Sequence, residues 1–343
     1  MKQVYIFCPG NYISGGPEAL HQLRYYMELE GIDAWIVYTD CIDGGTCSST
    51  RYNQYFPTSK KFLAEEDYVE DKSHLIIMPE STSRRLLHYH KAKIAIWWLS
   101  VLFYDSYHSS LDRYTFNNHI QMEFCKFKCL VRDARNAMVS FYLYHCRHVK
   151  NYCASQFAFD YVRNDLNQEA VMLVEPISKE FLEAGGVFAA NQAEMERSKE
   201  ILYNPVKSSK LLDTLIQRGN FHYHPIRGYN TNELVDLYRN HMLYIDFGDF
   251  PGPERIPKEA AYNGCNILVG KINAAENDFD VAILDTYKMY DPTIEEIELK
   301  IEQMLAEYES EFNDFNGFRY KIDGLESGFK KAIRTYFVDY LNE

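Results

Sequence analysis

Four charged residues crowd a short loop between two apolar segments of the chain. The segment "YIDFGDFPGPERIPKEAAYNGCNILVG" (244–270) carries Glu254, Arg255, Lys258 and Glu259 beside three prolines. Guanidinium and ammonium groups bind phosphate oxygens, and prolines lower the entropy cost of ordering a loop. The alternative is a surface cluster of ion pairs, which stabilises a protein little. Because the loop follows a buried strand at its carboxyl end, where α/β proteins bind ligands, we favour an anion pocket.

The same loop leads into a short predicted helix. Pro257 suits the first helical position, which puts Glu259 in the first turn and makes Gly264 the C-terminal stop. A carboxylate there is stabilised by the helix N-terminus and can accept hydrogen bonds from ligand hydroxyls. Arg255 lies just before this turn and Lys258 within it, so both are placed to meet a diphosphate.

A second cation follows another predicted strand. In "EILYNPVKSSK" (200–210), Lys207 stands where the strand gives way to a helix, again at a carboxyl edge. Asn204 and Ser208 are placed either to cap that helix or to donate to phosphate. A lysine at this position is either a solvent-facing residue or a phosphate ligand.

Paired glycines follow the first predicted strand. In "PGNYISGGPEALHQL" (9–23), Gly15 and Gly16 precede Pro17, which suits a first helical turn. Free N–H groups at a helix start can hold a phosphate. The segment is neither a GxGxxG motif nor a P-loop, which disfavours a dinucleotide site. It is therefore either a tight turn or a ligand loop.

Short apolar runs alternate with helical patterns along most of the chain. Ten runs predict strands: 3–7, 34–38, 75–78, 94–99, 129–131, 170–174, 200–204, 221–226, 242–247 and 266–270. Their continuous apolar character predicts strands buried on both faces of parallel sheets. Segments 17–31 and 230–241 carry helical spacing and helix-start residues. We therefore predict an α/β protein with two Rossmann-like, doubly wound domains facing a cleft.

The chain divides into three predicted parts: residues 1–168, 169–312 and 313–343. A helix over 151–167 leaves the first domain, and the strand at 170–174 opens the second. A Thr-x-x-Glu capping box starts a later helix at Thr293, and the last stretch has the spacing of an amphipathic helix. The first two parts are the Rossmann-like domains, and the third is a helical segment.

Composition limits the class of protein. The chain has 343 residues, 46% of them hydrophobic and 25% charged, which is typical of a globular protein. A net charge of −13 disfavours sequence-independent nucleic-acid binding.

Basic residues concentrate in 84–150, either as solvated helix faces or as a surface for an anionic acceptor or a membrane. The longest apolar run, 94–104, is too short to span a bilayer. The eight cysteines show no CxxC pair, and we expect a cytoplasmic protein with reduced thiols, in peripheral membrane contact at most.

The order of these motifs resembles a known family. The Gly-Gly-Pro-Glu helix start, "YNPVKSSK" and "DFGDFPGPERIPKEAAYNGCNILVG" together look like a nucleotide-sugar glycosyltransferase of the GT-B fold. The likeness is closest to bacterial enzymes of capsule and O-antigen biosynthesis, and it covers roughly residues 1–290. It implies that the first domain binds the acceptor and the second the nucleotide-diphosphate sugar. It also implies that the final helix, within 325–341, returns to the first domain.

The resemblance assigns roles to individual residues. Glu259 would bind the donor ribose, and Lys207 and Arg255 would bind the diphosphate; these three form the predicted catalytic set. The donor set as a whole is Gly15, Gly16, Asn204, Lys207, Arg255, Lys258 and Glu259. On the acceptor side, "IWWLSV" (96–101) would line the cleft, which gives Trp98, Ser100 and Asp105 as acceptor residues. An inverting enzyme would also need a general base, for which Asp105 and His108 are candidates.

The sequence departs from the family pattern at two positions. Many retaining members carry two glutamates with seven residues between them, and if Glu259 is the second, Pro251 occupies the place of the first. Glu254 is a possible substitute at a different spacing. Ser208 stands where a glycine commonly follows the phosphate-binding lysine. The stereochemical outcome therefore stays open.

We predict no metal and no cofactor, with the nucleotide sugar as co-substrate. The triplet "DFD" (278–280) matches the letters of a cation-binding DxD motif but is short enough to occur by chance. Each "HYH", at 88–90 and 222–224, places two histidines on one face of a strand, and structural histidines are the more common explanation. Two other functions stay open: a non-catalytic GT-B-like scaffold of a polysaccharide assembly complex, and a nucleotide-sugar epimerase.

Overall fold

The chain folds into two compact units in a computed structural model. The first unit comprises Met1–Leu173 and Lys330–Glu343, and the second comprises Val174–Phe329. The structure describes residues 2–10, 12–40, 50–56, 61–104, 119–188, 196–207 and 209–338.

The first unit is built on a seven-stranded sheet in the order β3-β2-β1-β4-β5-β6-β7, in which every pairing is parallel. Its strands are β1 Gln3–Pro9, β2 Ala34–Thr39, β3 Phe62–Ala64, β4 His74–Pro79, β5 Lys93–Trp98, β6 Lys150–Cys153 and β7 Val171–Met172. Its helices in the same part of the chain are α1 Gly15–Leu29, α2 His119–Phe141 and α3 Gln156–Asp160. The central strand β4 is buried along its whole length, as its unbroken apolar sequence predicts.

The second unit is built on a five-stranded parallel sheet in the order β12-β11-β10-β8-β9. Its strands are β8 Ser198–Tyr203, β9 Tyr223–Pro225, β10 His241–Asp246, β11 Asn266–Gly270 and β12 Lys288–Met289. Its helices are α4 Lys179–Glu183, α5 Lys210–Arg218, α6 Thr231–Arg239, α7 Arg255–Tyr262, α8 Ile294–Ala306, α9 Tyr308–Glu311 and α10 Asn316–Ile333. The predicted capping box at Thr293 is present and starts α8. Two parallel α/β sheets with covering helices confirm the predicted fold class.

The C-terminal segment returns to the first unit, as the resemblance implies. The chain re-enters that unit at Lys330, within α10, and continues as a π-helical turn over Arg334–Val338. Arg334 pairs with Glu30 at the end of α1, with 2.9 Å between Nη2 and Oε1. The Phe337 ring packs against Tyr152 of β6 at a centroid distance of 4.9 Å.

Two predictions about strands and one about a helix are wrong. Residues 129–131 lie within the helix α2. The run at 170–174 does not open the second sheet, because β7 pairs with β6 at the edge of the first sheet. The predicted helix over 151–167 begins only at Gln156, since Lys150–Cys153 forms a strand beside β5. Apolar content alone does not distinguish a short edge strand from one face of a helix.

No helix in the described part of the chain is long and apolar enough to cross a membrane.

Candidate functional site

The carboxyl ends of β8 and β10 bring two predicted site segments together in the second unit. The two strands pair in parallel, so the residues that follow them lie at the same edge of the sheet. Lys207 ends the turn after β8, and its ammonium donates to Glu254, which lies directly before α7. Lys207 and Glu254 are 47 residues apart in the sequence, and the pairing of the two strands brings them together.

The turn that carries Lys207 is fixed by its neighbours. Asn204, which is buried, accepts the Val206 N–H on its side-chain oxygen at 3.1 Å. Ser209 caps α5 by accepting the Leu212 N–H at 3.2 Å. The side-chain oxygen of Asn204 is therefore used within the turn, and Ser209 rather than Asn204 caps α5. Ser208, the other predicted capping residue, lies outside the described residues.

Asp246, which the sequence interpretation missed, organises the other half of this edge. One of its carboxylate oxygens accepts the Gly248 N–H at 2.9 Å, and the other accepts the Tyr244 hydroxyl at 2.7 Å. Burial raises the pKa of Asp246 to about 6. A side chain at position 248 would meet the Asp246 carboxylate and the Lys207 carbonyl oxygen, both at 3.0 Å, so the turn requires glycine there. The detectable signal was an acid at the end of a buried strand, two residues before a glycine.

The helix α7 starts earlier than predicted. It begins at Arg255, which makes Pro257 its third residue and places Glu259 in the second turn rather than the first. The error arises because a proline fits any position of the first turn, where its missing N–H would have no partner in the helix. The predicted stop is confirmed: Gly264 has φ of +102°, and a Cβ there would lie 2.2 Å from the Arg197 guanidinium.

The cations of α7 are held against acids and carbonyls from the start of the second unit. Arg255 donates to the Pro176 carbonyl at 3.1 Å. Lys258 is only 5% exposed, and Glu175 only 3%. Burial lowers the pKa of Lys258 and raises that of Glu175, and the attraction between the two opposes both shifts. A loosely solvated surface cluster therefore does not describe this loop.

Glu259 lies in the same buried environment. Its carboxylate is close to α6, because its charge adds to the effect of burial in raising the pKa of Tyr238. Its backbone carbonyl accepts the Asn263 side-chain amide at 2.9 Å, which helps to end the helix. The predicted contact of Glu259 with a ribose stays a prediction.

The corresponding edge of the first unit has different chemistry. Gly15 and Gly16 are the first two residues of α1, and a Cβ on Gly16 would meet only Leu99, at an ordinary 3.8 Å. Glu80, which follows β4, accepts the Leu99 N–H at 2.8 Å. Burial raises the pKa of Glu80 to about 7, against the opposing effect of backbone N–H groups that include those of Leu99 and Ser100. The sequence interpretation missed Glu80, although an acid directly after an apolar strand was visible.

The predicted acceptor roles stay predictions. The Trp98 ring is fully buried, packs on Tyr104 at 4.7 Å between centroids, and donates to Asn151 at 3.0 Å. It belongs to the core of the first unit. Ser100 is buried at the carboxyl edge, and its hydroxyl makes no hydrogen bond within the described residues. Asp105 and His108 lie outside the described residues.

The "DFD" triplet is occupied by local contacts. Asp278 pairs with the Lys288 ammonium at 2.9 Å, and Asp280 accepts the Asn277 side-chain amide at 2.9 Å. In the ranges that the structure describes, these acids do not join a third metal-ligating side chain.

No protein-family model matches the chain, and no curated protein matches it. Solved structures do. A glycosyltransferase from Rickettsia africae ESF-5 is similar with a TM-score of 0.62 at 11% identity, covering 98% of this chain and 97% of that one. WaaG, a glycosyltransferase involved in lipopolysaccharide biosynthesis, gives 0.59 at 10%, covering 97% and 99%. T4 phage BGT with its UDP-glucose substrate gives 0.52 at 8%, covering 98% and 99%. At these identities the likeness shows the fold, and the predicted resemblance to GT-B glycosyltransferases is confirmed at that level.

Proposed function

We propose that the protein is a glycosyltransferase that moves a sugar from a nucleotide-diphosphate sugar to a saccharide or lipid-linked acceptor. The observation that carries the proposal is the meeting of Lys207 with the start of α7 at the carboxyl edge of the second sheet. In a doubly wound sheet this edge is where ligands bind. The fold shared with several glycosyltransferases supports the same class of reaction.

The transfer breaks the bond between the sugar and the diphosphate and forms one to an acceptor hydroxyl, which loses its proton. Negative charge develops on the leaving diphosphate, and preorganised cations stabilise it. Lys207 and Arg255 are the groups we assign to this role, with Glu259 on the ribose. Lys258 supports them from a buried position, where the charge of Glu175 favours its protonated form. We propose that the reaction needs no metal, since these cations supply the charge that a divalent ion would otherwise provide.

The biological setting is the finer part of the proposal. WaaG acts in lipopolysaccharide biosynthesis, which favours a surface polysaccharide, capsule or lipopolysaccharide, as the product. We place the protein in the cytoplasm, with peripheral contact to the membrane that carries a lipid-linked acceptor.

The test is release of nucleotide from a panel of UDP-, GDP-, ADP-, CMP- and TDP-sugars, with oligosaccharide and lipid-linked acceptors. The assay runs with and without Mn²⁺, because one similar structure holds UDP and Mn²⁺. We expect turnover without added metal, reduced about 100-fold or more in Lys207→Ala. Lys199→Ala is the matched control, since Lys199 is an exposed lysine at the other end of β8. Failure of every nucleotide to bind would favour the scaffold function instead.

A further inference from the structure

Three side chains of metal-ligand type meet on adjacent strands of the second unit. They are Glu200 of β8, His224 of β9 and His241 of β10, and one ligand atom from each lies within 4.8 Å of the other two. Within the described part of the chain this is the one group of three or more such side chains. The strand order β10-β8-β9 brings them together, although 41 residues separate the first from the last in sequence.

The distances suit a single ion. The Glu200 Oε2 atom lies 3.4 Å from Nδ1 of His224 and 3.7 Å from Nε2 of His241. Ligand atoms bound to zinc at about 2.0–2.1 Å in a tetrahedron are roughly 3.3 Å apart. The two imidazole rings are tilted by 55° rather than stacked, with centroids 5.5 Å apart. Because the three ligand atoms lie within 4.8 Å of one another, binding of one ion would require small movements of the imidazole rings as well as of the carboxylate.

The hydrogen bonds of His241 direct its lone pair toward the cluster. Its Nδ1 lies 2.7 Å from the Leu237 carbonyl oxygen, which can only accept, so Nδ1 carries the proton. Nε2 is then the basic nitrogen, and it is buried with no hydrogen-bond partner within the described residues. A histidine whose second nitrogen donates to a backbone carbonyl is the usual arrangement in metal sites.

His224 is oriented in the same way, but with the roles of its two ring nitrogens exchanged. Its Nε2 lies 2.6 Å from the Tyr229 hydroxyl oxygen, which leaves Nδ1 facing Glu200. With Nε2 donating to that hydroxyl, Nδ1 presents a lone pair. Glu200 is 49% exposed, so an ion has a path from solvent to the cluster. The set therefore combines three ligands, oriented histidines and an entry path, which are the features that mark a metal site.

We propose that Glu200, His224 and His241 bind a divalent transition-metal ion of the zinc type, with water in a fourth position. Two imidazoles and one carboxylate form a ligand set that zinc uses with an open position, and imidazole favours zinc, nickel, copper or iron over magnesium or calcium.

This site is separate from the candidate donor site. His241 is the first residue of β10 and Asp246 the last, and five residues of strand span roughly 16 Å. Because β9 is an edge strand of three residues, an ion held by three strands would fasten it to the sheet. The ion is thus assigned to the stability of this sheet edge and not to sugar transfer, so the two proposals stand or fall separately.

The experiment is a titration of the metal-stripped full chain with Zn²⁺ against a chromogenic chelator, together with Co²⁺ absorption spectra. We expect one ion whose affinity falls more than about tenfold in Glu200→Gln and in His224→Gln. His222→Gln is the matched control, since His222 is an exposed histidine of the same "HYH" motif and should leave binding unchanged. His241→Gln is a third variant, and because His241 is buried, the two more exposed variants decide the outcome if it fails to fold.

Thermal unfolding provides the second readout. Zn²⁺ should raise the Tm of the wild-type protein and of His222→Gln, and have little effect on Glu200→Gln, because a ligand that binds only the folded state stabilises it. Intense visible Co²⁺ bands that depend on Glu200 and His224 would support a tetrahedral site. Absence of binding, or equal binding by Glu200→Gln and wild type, would overturn the proposal and leave the cluster as an ion pair.

Discussion

Both sheets are parallel, but their carboxyl edges differ in electrostatics. In the second unit the edge carries cations beside acids: Lys207 pairs with Glu254, and the charge of Glu175 opposes the effect of burial on the pKa of Lys258. In the first unit the edge carries a buried acid, Glu80, which accepts backbone N–H groups. The main influences on the pKa of Glu80 are burial, which raises it, and backbone N–H groups, which lower it. The parallel sheet supplies the edge in both units, and the loop residues decide which ligand chemistry the edge supports.

Because of this difference, the two edges are suited to different chemistry. Paired cations present a site where an incoming anion can replace a carboxylate as partner. A buried carboxyl with a pKa near 7 changes its charge within the physiological range, so the charge of the group that accepts the Leu99 N–H depends on pH. The second edge is suited to hold a diphosphate, and the first is suited to respond to protons.

The largest effect should come from breaking the buried pair of the second edge. Lys258→Met removes the stronger of the two cationic influences that lower the pKa of the buried Glu175, the other being that of Arg255, and we expect unfolding to become easier by about 3–5 kcal/mol. Glu175→Gln in the same chain should restore most of that loss, because neither of the two positions then carries a charge. Urea unfolding of the single and double variants measures both. Equal stabilities of Lys258→Met and wild type would show that the pair is solvated.

A change at Glu80 should alter the pH dependence of stability. The folded protein holds this proton up to a pKa of about 7, whereas a free glutamic acid loses it near 4.5. Between these values the folded state binds more protons than the unfolded state, so the contribution of Glu80 to stability falls as the pH rises. Complete burial makes the fall on the order of 3 kcal/mol.

Glu80→Gln should remove the decrease in stability with rising pH that is due to Glu80, while keeping an acceptor for the Leu99 N–H. The measurement is the difference in unfolding free energy between variant and wild type at a series of pH values from 4.5 to 8. The difference should grow in favour of the variant as the pH rises and level off above 7. A difference that does not vary with pH would mean that Glu80 is solvated, and the contrast between the two edges would fail.

The smallest effect should come from Glu254→Gln. This change removes the carboxylate partner of Lys207 and keeps its shape, so a diphosphate no longer competes with Glu254 for the ammonium. We expect nucleoside diphosphates to bind a few-fold more tightly, in line with the modest strength of a partly exposed ion pair. A loss of binding would show instead that Glu254 itself contacts the ligand.

The sequence predicts the regular elements well and the site only in part. Long apolar strands such as β4 and β10 can be predicted from the sequence, because burial on both faces requires continuous apolar residues. The two-residue strand β12 is not predicted, since so few residues carry no period, and β7 is predicted as a strand but assigned to the second sheet instead of the first. The side-chain groups of the site are less visible still. Glu175 lies 83 positions before Lys258 in the sequence, and no local spacing encodes the electrostatic attraction between them.

The metal-ligand cluster also could not be predicted from local sequence. The second "HYH" suggests a pair of histidines on one strand, yet only His224 joins the cluster, and its partners come from two neighbouring strands. The choice depends on the order β10-β8-β9, which is a property of the sheet and not of any local segment.

The central claim is that the carboxyl edge of the second sheet holds a nucleoside diphosphate. Calorimetric titration of UDP, GDP, ADP and TDP into wild type, Lys207→Ala and Lys199→Ala tests it most directly. The account predicts that one of these nucleotides binds wild type and Lys199→Ala alike, and binds Lys207→Ala more weakly by about tenfold or more, since a charge-assisted phosphate contact is lost. Equal binding by Lys207→Ala and wild type, or no binding by any of the four nucleotides, would contradict it.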